Sequence, residues 1–374
     1  MLVPLDNRPL DYAWGSTHLL ADLEGRTPSG AIEAEVWFGD HPAHPAVTAD
    51  GEPLDAWLAE RGQPPLPYLL KLLAAASPLS IQSHPSKPQA EAGFAREEAA
   101  GIARDAANRT YRDTNHKPEL IVALSDEFRA LAGLRPVAQT RSLLAAVGDA
   151  GAPLAGRLDD LGGAIAWVLS EDAAPAVRGI IAAARATSSA EFAAEFALAA
   201  RLDDLYPGDP GIVVALLMNL VTLRRGEGLF VPAGVLHAYL EGLGVEIMAA
   251  SDNVLRGGLT PKHIDVAELV SVLDAQDAVV PIRRPVADQP AVERYDVPVD
   301  DFALRRVAPR GGTAVVEITG VTIALATAGE LHVEGDASGG RSFLTPGRAV
   351  LVTADEGALV VEGEGELFLA SPGR

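Results

Sequence analysis

From about Val299 to its end, the chain is a succession of short apolar segments, each closed by a glycine-rich turn. Residues 314–318, 321–326, 349–353, 358–362 and 367–370 follow one another in this way. Runs of this length with this punctuation are strands joined by tight turns, so this part is expected to form a sandwich or jelly-roll barrel. The middle differs. Residues 141–147, 158–169, 174–186 and 190–202 have helix-forming composition with apolar side chains three or four apart, which reads as a helical insertion. Ahead of it, residues 79–84 and 120–124 read as strands, while 66–76 and 88–108 read as helices. The second of these helices opens on a proline. The chain is therefore expected to be mainly β with an inserted α-helical unit. At 374 residues it is long enough for two or three such units. A faint echo between residues 343–352 and 225–234 suggests that two barrels are related.

Cysteine is absent, so a metal site has only His, carboxylate and amide oxygen to draw on. No apolar run approaches the roughly 20 residues needed to span a bilayer. The start lacks a charged segment followed by an apolar one, so no secretory signal is expected and the expected location is the cytoplasm. The formal charge of −21, from 30 Lys and Arg against 51 Asp and Glu, argues against a nucleic-acid partner. It also means that any anionic substrate must find a locally basic pocket on an acidic molecule.

Three short stretches carry candidate chemistry. In Leu79-Ser-Ile-Gln-Ser-His84, Ser80, Gln82 and His84 alternate with apolar residues and share one face of a strand. Taken alone this is an ordinary polar face. In Asn115-His-Lys-Pro-Glu119, a His, a Lys and a Glu crowd the mouth of an apolar strand. In Pro232-Ala-Gly-Val-Leu-His-Ala-Tyr239, a Pro-x-Gly turn leads into a strand that aims His237 and Tyr239 to one side, with Glu246 on the next segment. Together, Gln82, His84, Glu119 and His237 make a mixed nitrogen and oxygen set suited to zinc with one open position. Lys71, Lys87, Lys117, Arg256 and Lys262 supply basic residues around them, and His18, His41, His44 and His332 read as structural.

These stretches resemble the type I phosphomannose isomerases. PYLLKLLAAASPLSIQSHPSKPQAEAGF, YRDTNHKPE and GLFVPAGVLHAYLEGLGVEIMAASDNVLRGGLTPKHIDV look like the family's three hallmark segments, in the family's order. The early YAWGS and AEVWFGDHP also match. The resemblance implies cupin jelly-roll barrels plus an α-helical domain. Residues 1–128 and 223–272 would form the catalytic cupin, 129–222 the helical insertion, and 273–374 a C-terminal jelly roll without metal. It implies one zinc ion per chain, held by Gln82 and His84 of the IQ-x-H motif, Glu119 of HKPE and His237 of LHAY. It places the active-site arginine at Arg256, with Trp14, Lys71, Lys117, Tyr239, Glu246, Asp252 and Lys262 lining the pocket.

The activity so implied is the interconversion of mannose 6-phosphate and fructose 6-phosphate through a cis-enediol(ate). Arg256 would share with the metal the stabilisation of charge developing on oxygen. Lys71 and Lys262 are the candidates for the phosphate, with Ser80 also on the substrate side, and His116 or Lys117 for ring opening. The base is open between Glu246, Tyr239 and a water on the metal. The expected partner is a small phosphosugar, with no nucleic acid, no membrane and a monomeric chain. Two other readings are a cupin enzyme acting on a different sugar phosphate or small acid, and a non-catalytic sugar-binding protein.

Overall fold

The computed structural model describes residues 1–277 and 280–373. Its strands form two ten-stranded antiparallel networks, and its helices lie mainly between Val137 and Leu216. One strand organises the catalytic half. His237–Ala249 pairs over its first residues with Ile81–Ser83 and Glu127–Leu134, and over its last with Tyr68–Ala75 and Glu119–Ala123. It passes from one sheet of a sandwich to the other at a register shift after Tyr239. Gly242, next along the strand, has φ near +130°, and a Cβ there would lie 2.7 Å from the Phe128 ring. Only glycine allows this corner.

The first sheet contains Leu255–Gly258, Ile81–Ser83, Glu127–Leu134 and Met218–Arg224 beside the start of the long strand. The second contains Glu35–Phe38, Tyr68–Ala75, Glu119–Ala123, Gly228–Val231 and Ile282–Arg283 beside its end. Each sheet buries its outer face. The helices cover the first through a core in which Leu131, Leu134, Leu236 and Leu255 meet Ile165, Ile180 and Leu202. In the helix Ala174–Ala186 the buried residues are Val177, Ile180, Ile181 and Ala184, the three-and-four spacing that an amphipathic helix requires. The C-terminal network covers the second sheet, packing Ile323, Leu325, Leu351 and Phe368 onto Leu70, Leu72, Val245 and Ile247.

This layering explains where the sequence reading fails. Residues 66–76 form the strand Tyr68–Ala75 and not a helix, and all eight of its positions are buried. A strand covered on both faces shows a continuous apolar run, which periodicity cannot distinguish from a buried helix. The helix expected over 88–108 stops at Ala99. The domain edges also move. A boundary at 129 cuts the strand Glu127–Leu134, which pairs along Met218–Arg224 and belongs with the first sheet. The opening strand Leu2–Asp6 pairs with Ala349–Val352, so it extends the C-terminal network and not the catalytic sandwich to which residues 1–128 were assigned. Among the described residues, no helix is long and apolar enough to cross a membrane.

The seam between the second sheet and the C-terminal network is largely apolar, and one buried hydroxyl bridges it. Tyr68 is buried, with its oxygen 2.9 Å from the Ala370 carbonyl and 3.0 Å from that of Val321. Tyr68→Phe removes the one donor these carbonyls share and is expected to lower stability by roughly 1–3 kcal/mol. Denaturant unfolding measures this, and activity at low temperature should be unchanged.

Candidate metal centre and substrate cavity

The inner faces of the two sheets carry the polar residues, and register sets which of them meet. On the first sheet, Arg256 is paired with Gln82, and Gln82 with His237. Directly paired residues point to the same side, so one rung presents a guanidinium, a carboxamide and an imidazole in a row. On the second sheet Trp37 is paired with Lys71 and Lys71 with Glu246. Glu119, paired with Met248, shares that face. A cavity of about 540 Å³ opens between the rungs and includes Trp14, Ser80, Gln82, Lys117, Asp252, Arg256 and Lys262 in its lining. A deeper recess of about 70 Å³ is lined by Glu119, His237, Tyr239 and Glu246.

At the bottom, His84, Glu119 and His237 place their ligating atoms within 4.8 Å of one another. His84 Nε2 lies 3.3 Å from Glu119 Oε1, and His237 Nε2 lies 3.2 Å from Glu119 Oε2. His84 Nδ1 is 2.6 Å from the carbonyl of Asn253, which fixes the proton on that nitrogen and turns a lone pair on Nε2 inward. That Nε2 is fully buried and has no hydrogen-bond partner. Burial, and then the nearby Lys117 ammonium, push the His84 imidazole down to about 4, so it is neutral at ordinary pH. Burial opposes ionisation of Glu119, but the nearby Lys117 ammonium above all outweighs it and holds its carboxyl well below the usual range. The Gln82 amide nitrogen donates to Ser80 Oγ at 3.1 Å, leaving its carbonyl oxygen unused. A neutral imidazole with an orphaned nitrogen, an ionised carboxylate and a free amide oxygen, without thiolate, fit a divalent ion that accepts mixed nitrogen and oxygen ligands.

Two loops hold this set in place. The Pro-x-Gly turn before His237 is tied to the preceding ligand, because Gly234 N donates to the His84 carbonyl at 2.8 Å. Asn253, fully buried, accepts from the amides of Arg112 and Asp113 and donates to the carbonyls of Asp113 and Asn115. The HKPE segment, the SDN segment and His84 are thereby fastened at one point. Nothing in the sequence reading singled out Asn253, although it stands within SDN-x-x-R.

Several expected site residues arrive in altered roles. Lys71 is buried, 3.1 Å from Glu246 and 3.7 Å from Glu35, and packs over the Trp37 ring. Burial lowers its affinity for the proton, but the two carboxylates more than offset this, so Lys71 stays charged. It faces two glutamates and also lines the cavity. Glu246 has its pKa raised, chiefly by burial and against the pull of Lys71. Tyr239 is raised well above the normal phenol value by burial and the nearby glutamates, and its hydroxyl lies 3.4 Å from Glu119 Oε2. His116 is turned away. Lys117 and Glu119 alternate onto the inner side, whereas His116 Nε2 meets Asp301 at 2.8 Å and is outside the cavity lining. Lys87 begins the helix Lys87–Ala99 and is also outside that lining.

The structure adds residues that the sequence reading did not place in the site. Glu35 and Trp37 line the cavity on alternate positions of their strand, and the Trp37 indole donates to Glu35 at 2.5 Å. His41, read as structural, lines the cavity edge-on to Trp37 and sits 3.2 Å from Asp252. Tyr206 reaches the cavity from the helical insertion and donates to the Pro78 carbonyl. The alternation of Glu35 and Trp37 in AEVWF was a usable signal. For Tyr206 there was none, because the contact depends on how the helices dock.

The comparisons with known proteins agree with this geometry. A family model described as phosphomannose isomerase type I, catalytic domain, matches residues 2–137. The chain is 36% identical to a mannose-6-phosphate isomerase from Escherichia coli (strain K12), with 97% of each chain covered. It is 31% identical to one from Rattus norvegicus, covering 96% of this chain and 94% of that one. Among solved structures, a zinc-bound mannose 6-phosphate isomerase superposes with a TM-score of 0.88 at 34% identity over 100% of both chains. A mutant phosphomannose isomerase from Salmonella typhimurium superposes with a TM-score of 0.90 at 33% identity, also over 100% of both chains.

The buried arrangement of Lys71 between Glu35 and Glu246 gives a direct test. Lys71→Met leaves two carboxylates without their cation in a largely buried part of the cavity wall. We expect a stability loss of roughly 3–5 kcal/mol, read as a lower denaturation midpoint. A phosphate-binding role alone would instead raise KM and leave the midpoint in place.

Proposed function

The chain belongs to the type I phosphomannose isomerases, and from that premise we propose that the cavity between its two sheets interconverts mannose 6-phosphate and fructose 6-phosphate. The single observation that carries the reading is the convergence of His84, Glu119 and His237 at the floor, beside Gln82 and Arg256 on one rung. Gln82, His84, Glu119 and His237 would hold one zinc ion. When bound, that ion supplies Lewis-acid polarisation of the sugar oxygens.

The chain's own residues divide the remaining work. An aldose–ketose isomerisation moves a proton between C2 and C1 through a cis-enediolate, and the difficult step places negative charge on oxygen. Arg256 has no ion-pair partner among the described residues, and its guanidinium is available to that charge. Glu246 is the best-supported base. Its burial raises the carboxyl toward the range where a carboxylate removes and returns a carbon-bound proton efficiently. Tyr239 is a donor in this setting, because its raised pKa keeps the phenol protonated. Lys117, buried and 2.7 Å from Glu119, is the cation nearest the floor and is placed to move a proton at the sugar oxygens during ring opening. His116, paired with Asp301, is left out of that step. Lys262 at the cavity wall has no partner for its ammonium among the described residues and takes the phosphate.

The four-part division of the chain is kept with its edges moved to the strand pairings described above. We further read the enzyme as a cytoplasmic monomer.

A coupled assay on mannose 6-phosphate is expected to show turnover that a strong chelator abolishes and added zinc restores. Turnover indifferent to chelation, or absent on this substrate, contradicts the reading. His237→Ala should lose bound zinc by elemental analysis. Arg256→Ala should keep zinc while kcat drops about 10²–10³-fold. Near-normal turnover in the second variant removes Arg256 from the mechanism.

A further inference from the structure

We propose that Arg112 is a phosphate-binding residue of this site, forming with Lys262, beside Arg256, a cationic rim that holds the substrate's phosphate. This rests on the phosphosugar reading of the cavity and adds to it a residue from a separate loop.

Placement comes from the backbone. Tyr111 is buried against Gly93 and anchors the segment, and the next residue, Arg112, is exposed. The Arg112 amide donates to Asn253 Oδ1 at 2.7 Å. Asn253 stands three residues before Arg256 on the segment that leads into Leu255–Gly258, so the two arginines are fixed to one buried asparagine from opposite sides.

Charge pairing then singles out the rim. Deep in the cavity every cation is matched: Lys71 faces Glu246 and Glu35, and Lys117 faces Glu119. At the rim this changes. Arg112, Arg256 and Lys262 form no side-chain ion pair or hydrogen bond among the described residues. Two carboxylates lie near Arg112, and neither pairs with it: Asp252 feels its charge but meets His41 at 3.2 Å, and Asp113 is occupied by other donors. Asp113 accepts from Ser251 Oγ at 2.9 Å and from the amides of Asp252 and Asn115 at 2.7 and 2.8 Å. Burial and then Arg112 hold Arg256 below its ordinary value, and burial, Arg256 and Arg112 do the same to Lys262.

Three cations that repel one another on a chain of net charge −21, with Asp252 their nearby carboxylate, form a site that gains when a further anion arrives. A phosphate dianion has both the charge and the acceptor oxygens to engage a guanidinium and an ammonium together. Two of the three line the cavity, which points the phosphate to its mouth and leaves the sugar to reach the metal residues.

The test uses the zinc-loaded full chain. In Arg112→Ala we expect KM for mannose 6-phosphate to rise roughly five- to tenfold while kcat stays within about twofold. Inhibition by inorganic phosphate should weaken by the same factor, zinc content should be unchanged, and Arg112→Lys should recover most of the loss. An unchanged KM with unchanged phosphate inhibition overturns the proposal, as does a fall in kcat alone. Should the wild-type chain fail to turn over mannose 6-phosphate, the functional reading fails separately. Calorimetric binding of inorganic phosphate to wild type and Arg112→Ala then still decides the role of Arg112.

Discussion

The interior of the catalytic sandwich is an arrangement of ionised groups held away from water, and each depends on the next for its charge. Glu119 remains a carboxylate chiefly because the Lys117 ammonium faces it. Lys71 remains an ammonium because Glu246 and Glu35 face it. Isolated charges in such a place would give up or take up protons, and neither a metal ligand nor an acid–base pair would survive. The sandwich therefore holds a chemistry that no single residue could sustain alone. Its two dry outer faces, against the helices and against the C-terminal network, provide the burial that makes this interior affordable.

The long strand His237–Ala249 turns this electrostatic requirement into geometry. By crossing from one sheet to the other it carries His237 and Glu246 to opposite walls of one cavity. Register then fixes their neighbours, with Gln82 and Arg256 on one side and Lys71 and Trp37 on the other. Asn253 performs the corresponding task for the loops, joining three motifs that are far apart in sequence. The C-terminal network stabilises the sandwich from behind, and the helical insertion contributes Tyr206 to the cavity wall.

Much of this was legible in the sequence, for identifiable reasons. His84, Glu119 and His237 sit in short polar interruptions of apolar strands, which is how inward-facing ligands announce themselves when cysteine is absent. The C-terminal strands were legible because turns separate them, and the helix Ala174–Ala186 because its period is unambiguous. What stayed hidden depends on pairing. Tyr68–Ala75 looked helical because it is covered on both faces. The pairing of Lys71 with Glu246 was hidden because only register reveals it. His116 looked catalytic from its neighbours, yet the alternation that brings Lys117 and Glu119 inward turns it toward Asp301. Leu2–Asp6 could not be assigned to the C-terminal network without its partner, Ala349–Val352.

Anomalous diffraction at the zinc edge, on crystals of the zinc-loaded protein, bears most directly on the site itself. The account expects one strong peak at the cavity floor, about 2.0–2.2 Å from Nε2 of His84 and of His237 and from a Glu119 oxygen. It expects the Gln82 carbonyl oxygen in the same shell. A peak elsewhere on the chain, or an ion at the floor that either imidazole fails to touch, would contradict it.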